Sequence, residues 1–239
     1  VIATTNETHC EIAKAALEAG MHVFCEKPIS LSLAEAKVLC ALAKRKRLAF
    51  GVPFTYTGYP MVKLARDLVA KGELGRIDKV HLEYVQGSFR RPGRRKAWKS
   101  DPKIAGPSCV VADIGVHAST LVEYVTGLRI DSVLADISSF GNPDGMDDDA
   151  SVLLRLSGGA KGALVTSKIA TGEENGVRLR VYGTKAALFF DQEEPNRLVV
   201  RHPSMPDSVY SRKSPCADAL SPRSAAASRF PAGHHEGFV

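Results

Sequence analysis

The sequence lacks any apolar run of the roughly 18 to 20 residues that a membrane-spanning helix needs. Its first residues also lack the basic start and apolar core of a secretory signal. The five cysteines are an odd number and include no C-x-x-C pair, so neither a disulfide framework nor a metal site is expected. We therefore predict a soluble cytoplasmic protein without a membrane partner.

What is present is the composition of a globular protein. The chain has 239 residues, of which 44% are hydrophobic and 24% charged, enough to bury a core. The net charge of +6 equals the charge of one segment, from Arg90 to Lys99, and the remainder is nearly neutral. This distribution argues against nucleic-acid binding. The basic segment is interpreted either as a solvated loop or as a site for an anionic substrate.

The first part of the chain alternates strands and helices. Apolar runs at 1–4, 21–25 and 48–52 predict strands, and helical patterns follow from Thr8 to Ala19 and after Ser32. Such alternation favours parallel pairing. Residues 1–52 are therefore predicted to be the carboxyl-terminal half of a Rossmann-like parallel sheet.

After residue 52 the pattern changes from α/β to α+β. Two helices are predicted, at about 59–71 and 108–126, and strands follow one another at 77–86, 130–138, 149–156, 161–169, 177–183, 186–190 and 197–201. We expect 53–202 to form a mostly antiparallel open sheet with helices on one face. Its other face would mediate homo-oligomerisation if outward residues such as Val152, Leu154 and Leu164 are apolar. Residues 203–239 are interpreted as a loop-rich tail.

Two short motifs suggest chemistry. Glu26, Lys27 and Pro28 follow a parallel strand, and ligands of doubly wound sheets bind outside the carboxyl ends of the strands. Asp113 and His117 are four residues apart on a predicted helix, where a carboxylate could tune an imidazole that accepts a proton. A solvated turn lysine and a surface ion pair are the alternatives.

Several segments together resemble the glucose-fructose oxidoreductase, inositol dehydrogenase and related (Gfo/Idh/MocA) NAD(P)-dependent oxidoreductases. They begin with Ile2-Ala3-Thr4-Thr5-Asn6 and His9, then Ala16-Leu17-Glu18-Ala19-Gly20 and His22-Val23-Phe24-Cys25-Glu26-Lys27-Pro28. They continue with Gly72-Glu73-Leu74-Gly75, Asp113-Ile114-Gly115-Val116-His117, Asp148-Asp149 and Tyr182-Gly183-Thr184-Lys185.

The resemblance implies transfer of a hydride between a hydroxyl of a sugar, inositol or related polyol and NAD or NADP. It implies that Lys27 is the active-site lysine, that His117 transfers the proton and that Asp113 is its partner in the substrate pocket. The nicotinamide half of the cofactor would be lined by Thr4, Thr5, Asn6, His9, Glu26, Lys27 and Pro28. Tyr56 is either a substrate-pocket residue or a tyrosine packed at the domain junction.

The sequence departs from this family in having no G-x-G-x-x-G turn, the motif that binds the cofactor phosphates. Two interpretations stay open at this stage. The chain is a fragment, truncated at both ends, of an oxidoreductase, or it is a non-catalytic sugar-binding or oligomerisation module that has lost cofactor binding.

Overall fold

The computed structural model describes residues 1–91, 98–142 and 145–211. Cations Arg94, Arg95 and Lys96 of the basic segment, and residues 212–239 of the predicted tail, lie outside the described residues. Among the described residues, no helix has the length and apolarity needed to cross a membrane.

The amino-terminal part is a small parallel sheet covered by two helices. Helix α1 (Asn6–Glu18) precedes strand β1 (Val23–Phe24), and helix α2 (Leu33–Lys46) precedes strand β2 (Phe50–Gly51), which pairs in parallel with β1. The strand predicted at 1–4 is reduced to a single parallel bridge between Ile2 and Cys25. Helix α1 also begins two residues earlier than predicted.

Local chemistry explains where α2 begins and ends. The Ser32 side chain accepts from the Glu35 N–H while the Glu35 carboxylate accepts from the Ser32 N–H, a reciprocal capping box. At the other end, Lys44, Arg45 and Lys46 lie in the last turn, where cations complement the helix dipole. The cap thus fixes the direction of the chain as it leaves the loop that holds Lys27.

The larger part is one eight-stranded sheet with two main helices. In chain order its elements are α3 (Pro60–Ala70), β3 (Ile77–Val85), the short α4 (Pro102–Ala105), α5 (Val116–Thr126), β4 (Ile130–Ser138), β5 (Asp149–Leu156), β6 (Lys161–Ser167), β7 (Gly176–Gly183), β8 (Ala187–Asp191), β9 (Arg197–His202) and β10 (Met205–Ser211). The strand order across the sheet is β10-β9-β8-β7-β3-β6-β5-β4.

All neighbours in this sheet are antiparallel except the adjacent strands β3 and β6, which are parallel. The inward residues Leu82, Leu164 and Leu179 lie opposite one another on three adjacent strands, and they join the buried core formed with α3 and α5. The predicted fold class, a partial Rossmann-like sheet followed by a mostly antiparallel sheet with helices on one face, is confirmed.

Three details of the sequence prediction are corrected. Residues 205–211 form an edge strand paired with β9, although the tail was expected to be loop from 203. The single helix expected over 108–126 is a π-helical turn (Val111–Gly115) followed by α5. Leu154 and Leu164 face the core and Val152 packs against it, so the outward apolar residues are instead Leu153 and Val165.

Two turns approach each other so closely that one of them requires a glycine, Gly183. The turn after β7 passes so near the turn before β3 that a Cβ at Gly183 would lie 2.1 Å from the Leu74 carbonyl oxygen. The Lys185 N–H donates to that same oxygen at 3.0 Å. Any side chain at position 183 would displace this contact, and so glycine is required there.

Candidate active site

Lys27 lies in the loop that follows β1, at the carboxyl end of the small parallel sheet. This loop is held by His9 of α1, which is buried. The two ring nitrogens of His9 lie 2.7 Å from the Pro28 carbonyl oxygen and 3.1 Å from the Thr4 carbonyl oxygen. One imidazole therefore fixes the loop that carries Lys27 against the segment that precedes α1.

Asp113 lies in the π-helical turn that leads into α5. Single π-helical turns are found frequently at functional sites. The start of this segment is anchored by the carboxylate of Asp147, which accepts from the Ser108 hydroxyl and from the backbone N–H groups of Cys109, Val110 and Val111. A carboxylate from a distant loop thus satisfies the free N–H groups that begin a helix, and this positions Asp113.

Three lysines meet the Asp113 carboxylate. The ammonium groups of Lys27 and Lys99 each lie 2.8 Å from Oδ1, and that of Lys168 lies 2.9 Å from Oδ2. Lys27 also donates to the backbone carbonyl of Asp113. We call these four residues the Asp113 cluster. It joins the amino-terminal sheet, through Lys27, to the larger sheet, through the other three.

Burial and charge act in opposite directions in this cluster. Burial disfavours the charged form of Asp113, but Lys168, Lys27 and Lys99 together hold the pKa of its carboxyl well below the usual range. The pKa of Lys27 is lowered, chiefly by burial, and Asp113 opposes this effect. Asp113 therefore stays ionised across the neutral range and stabilises the charged form of an otherwise desolvated Lys27.

A cavity of about 200 Å³ opens beside the Asp113 cluster. This volume is below the roughly 300 to 1,000 Å³ typical of complete ligand pockets, so it accommodates part of a ligand. Its lining is formed by Thr4, Asn6, His9, Glu26, Lys27, Pro28, Trp98, Lys99, Ala105, Ser108, Cys109, Ala112 and Asp113.

This lining fits the nicotinamide half of a dinucleotide. Pro28, Ala105, Cys109 and Ala112 give it apolar walls, against which a planar ring can pack. Polar groups are provided by Thr4, Asn6, Glu26 and Lys27. The fit extends only to that half, because the chain has no G-x-G-x-x-G turn for the phosphates.

The structure brings together most residues that the sequence suggested for this site. Thr4, Asn6, His9, Glu26, Lys27, Pro28 and Asp113 all line the cavity. Thr5 is absent from this lining; its hydroxyl donates to Glu7 at 2.8 Å, next to the start of α1. Its expected contact with the cofactor stays a prediction.

His117 lies one turn further along, in α5, and is surrounded by aromatic rings. Its ring centroid lies 5.4 Å from that of Tyr56, 5.9 Å from Phe54 and 6.4 Å from Tyr84. Sequence spacing predicted that Asp113 would pair with His117. The described partners of the Asp113 carboxylate are the three lysines, which approach both of its oxygens. The pairing with His117 stays a prediction.

Tyr56 lies in the protein interior. Its hydroxyl is 2.7 Å from the Tyr84 hydroxyl and accepts from Asn175 at 3.1 Å, and its ring belongs to the core of the larger sheet. Burial raises its pKa. This environment matches the alternative of a packed tyrosine, and a contact with substrate stays a prediction.

Sequence reasoning missed Lys168 and considered Lys99 and Trp98 only as parts of the general basic segment. A lysine directly after an apolar strand was the available signal for Lys168. Its partners Phe89, Cys109 and Asp113 are 55 or more residues away in the chain, which is why the sequence did not reveal its burial. The consecutive acids Asp147, Asp148 and Asp149 favour a solvated turn when only the sequence is considered, whereas the Asp147 carboxylate accepts from the backbone donors described above.

Comparison with known proteins gives two matches to family profiles. Residues 1–54 match the oxidoreductase family with an NAD-binding Rossmann fold, and residues 62–189 match the GFO/IDH/MocA C-terminal domain.

Individual relatives agree with these matches. The chain is 36% identical over 91% of its length to an uncharacterized oxidoreductase, YfiI, from Bacillus subtilis, and 30% identical over 83% to levoglucosan dehydrogenase from Pseudarthrobacter phenanthrenivorans. These matches cover 57% and 56% of the two relatives, so the chain spans little more than half of their length.

Solved structures support the same relationship. An inositol dehydrogenase homologue from Azotobacter vinelandii, complexed with NAD+, superimposes with a TM-score of 0.91 at 35% identity. The match covers 99% of this chain and 62% of that one. Sequence and fold converge on one conclusion: the chain belongs to the Gfo/Idh/MocA family of oxidoreductases.

Proposed function

We propose that the gene product containing this sequence is an NAD- or NADP-dependent oxidoreductase. It transfers a hydride between a secondary hydroxyl of a sugar, inositol or related polyol and a nicotinamide. Relatives with these substrate classes include levoglucosan dehydrogenase and a homologue solved with NADH and myo-inositol. The carrying observation is the Lys27 and Asp113 ion pair, 2.8 Å long, at the wall of a cavity that fits a nicotinamide.

Lys27 is the residue that stabilises charge on the reacting oxygen. Oxidising an alcohol leaves negative charge on that oxygen as its proton departs, and a fixed cation in a partly dehydrated site stabilises such charge strongly. Asp113 keeps Lys27 cationic and fixes the position of its ammonium. The side chain of Lys27 is only 14% exposed, and water therefore screens this charge weakly.

His117 is the residue that accepts the hydroxyl proton. Imidazole is the side chain best matched to proton transfer near neutral pH. Phe54, Tyr56 and Tyr84 hold its ring in one orientation. The nicotinamide, when bound, supplies the hydride acceptor; Thr4, Asn6, His9, Glu26, Lys27 and Pro28 are the residues of this chain that would hold it.

The remaining parts of the proposal concern assembly and location. The outer face of the larger sheet exposes Leu134, Leu153 and Val165, and Leu134 lies opposite Leu153 in the register. An exposed apolar patch on a sheet favours a partner. We assign it to a second copy of this chain, with the enzyme acting in the cytoplasm on small molecules and not on nucleic acid.

The deciding experiment is a dehydrogenase assay of the complete gene product against a panel of sugars and inositols with NAD+ and NADP+. Lys27→Met should lower kcat by roughly 10²- to 10³-fold, the usual effect of removing one group that stabilises an oxyanion. The control is Lys37→Met, because Lys37 is exposed on α2 and is not among the residues that line the cavity; it should keep full activity.

Two results would contradict the proposal. One is the absence of turnover with every polyol and both nucleotides, which would revive the interpretation as a non-catalytic binding module. The other is a Lys27→Met variant that folds normally and retains wild-type turnover.

A further inference from the structure

Lys168 is a buried lysine that the proposed chemistry does not use. Its side chain is 4% exposed, and it is absent from the cavity lining. The ammonium group contacts Asp113 Oδ2 at 2.9 Å, donates to the Cys109 thiol at 3.6 Å and lies 5.2 Å from the centre of the Phe89 ring. Burying a charge is costly unless it is paired, so this placement calls for an explanation.

The geometry points to Lys168 as the positioning residue of the active site: it holds Asp113 from behind, so that the opposite carboxylate oxygen is presented to Lys27. This inference rests on the proposed function, because Lys27 matters only if it serves the reaction. Lys168 itself does not line the cavity, and we expect it to make no contact with the substrate.

The two oxygens of the Asp113 carboxylate have different lysine partners. Oδ1 receives Lys27 and Lys99 from the cavity side, and Oδ2 receives Lys168 alone among the contacts that the structure describes. A carboxylate held on one side only is free to rotate about its terminal torsion, which is intrinsically soft. A second partner on the other oxygen fixes the plane of the carboxylate and therefore the position of Oδ1.

The backbone supports the same role. The Lys168 N–H donates to the Asp148 carbonyl at 2.8 Å, and its carbonyl accepts from the Phe89 N–H at 2.8 Å. The position follows directly after β6, whose register with central strand β3 runs from Lys79 to Val85. Lys168 is thus attached to the most enclosed strands of the sheet, whereas Lys99 is 44% exposed.

Several charged or titratable groups surround Asp113 and must be considered in any test. Lys27 approaches from the loop after β1, Lys99 from the turn before α4 and Lys168 from the end of β6. The ionised Asp113 raises the pKa values of Tyr56, Tyr84 and Cys109, although burial is the larger cause for each. A change in charge alone would therefore affect several groups, and the test must isolate the coupling to Asp113.

The test is a double-mutant cycle in the complete gene product, using Lys168→Met, Asp113→Asn and the combined variant. Lys168→Met should lower kcat on the order of 10- to 100-fold, the scale of a misplaced reacting group, while the dissociation constant for the nucleotide stays unchanged. In the Asp113→Asn background the same substitution should have little further effect, because Lys168 acts through that carboxylate.

Two further variants separate positioning from general stability. Lys168→Arg keeps the cation and should recover most of the lost kcat. Lys161→Met removes an exposed lysine at the start of β6, the strand that Lys168 follows, and should leave kcat unchanged. Additive effects of Lys168→Met and Asp113→Asn on kcat, or a Lys168→Arg variant no better than Lys168→Met, would overturn the inference.

A measurement independent of activity completes the design. Melting temperatures of the four proteins of the cycle should be non-additive, because Asp113→Asn leaves the buried Lys168 without its carboxylate partner, whereas the combined variant removes that buried charge as well. If the wild-type protein shows no dehydrogenase activity, the proposed function fails, but this coupling still decides the role of Lys168. Additive losses in melting temperature would then refute it.

Discussion

The amino-terminal sheet and the larger sheet contribute unequally to the molecule. Among the described residues, the buried core of the first consists of eight residues and that of the second of 31. Yet the cavity takes Lys27 and most of its predicted cofactor residues from the smaller part. Asp113 and the two lysines behind and beside it come from the larger part. The larger sheet thus holds Asp113, Lys99 and Lys168, and the smaller sheet supplies Lys27, which they position.

The variant with the largest expected effect tests whether the part of the molecule with the larger sheet takes part in catalysis or only holds the active site in place. His117→Ala should lower kcat by roughly 10²- to 10⁴-fold, the usual contribution of a positioned general base. Nucleotide binding should be nearly unchanged, since the residues that line the nicotinamide cavity do not include His117. Steady-state kinetics and calorimetry of the complete gene product measure both quantities.

Loss of stability in proportion to activity would contradict that prediction, because it would show a packing role for His117. Its ring contacts three aromatic side chains, and the melting temperature must therefore be measured beside kcat. A folded variant that keeps most of its turnover would remove His117 from the mechanism.

A second prediction compares the two cores directly. Leu39 and Leu188 are both fully buried, one in each core. Leu188→Ala should lower the free energy of unfolding by about 2 to 5 kcal/mol. Leu39→Ala should instead loosen the amino-terminal part. Its main effects should be faster hydrogen exchange around residues 23–51 and a lower dehydrogenase activity.

Hydrogen-exchange mass spectrometry and thermal unfolding distinguish these outcomes. Equal loss of protection in both parts of the molecule for both variants would show that the two cores unfold as one cooperative unit. The two parts would then differ in the size of their buried cores but not in their stability.

The smallest expected effect concerns charge at the boundary between the two parts. The lowered pKa of Lys27, caused first by burial and in part by Lys99, places the alkaline limb of kcat/KM below the ordinary lysine value of about 10.4. Activity should fall as pH rises through this pKa, because Lys27 loses its charge. Lys99→Met removes a like charge and should therefore shift the limb to higher pH.

The pH profile of Lys103→Met provides the control, because Lys103 is an exposed lysine of α4. A limb that moves downward in Lys99→Met, or equally in both variants, would show that Lys99 does not act on Lys27 through charge.

Much of this arrangement was predictable from the sequence, and the exceptions have physical causes. The sequence indicated Lys27 and Asp113 because they lie in segments whose residues and spacing resemble the family. It did not indicate Lys168, whose burial depends on packing against Phe89 and Cys109. Nor did it reveal β10, which contains Pro206; proline is tolerated at a sheet edge but argues against a strand when only the sequence is considered.

The parallel pairing of β3 with β6 has a consequence for synthesis of the protein. The register partners Lys79 and Lys161 are 82 residues apart, and at 5 to 20 residues per second the ribosome needs about 4 to 16 s to make that interval. Synthesis reaches β6 only at the end of this interval and β7 after it, so β3 is made several seconds before either of its neighbours. The apolar residues of β3 therefore stay without their partner strands for several seconds, and chaperones can bind them during this period. The Asp113 cluster is completed only afterwards, because Lys168 follows β6.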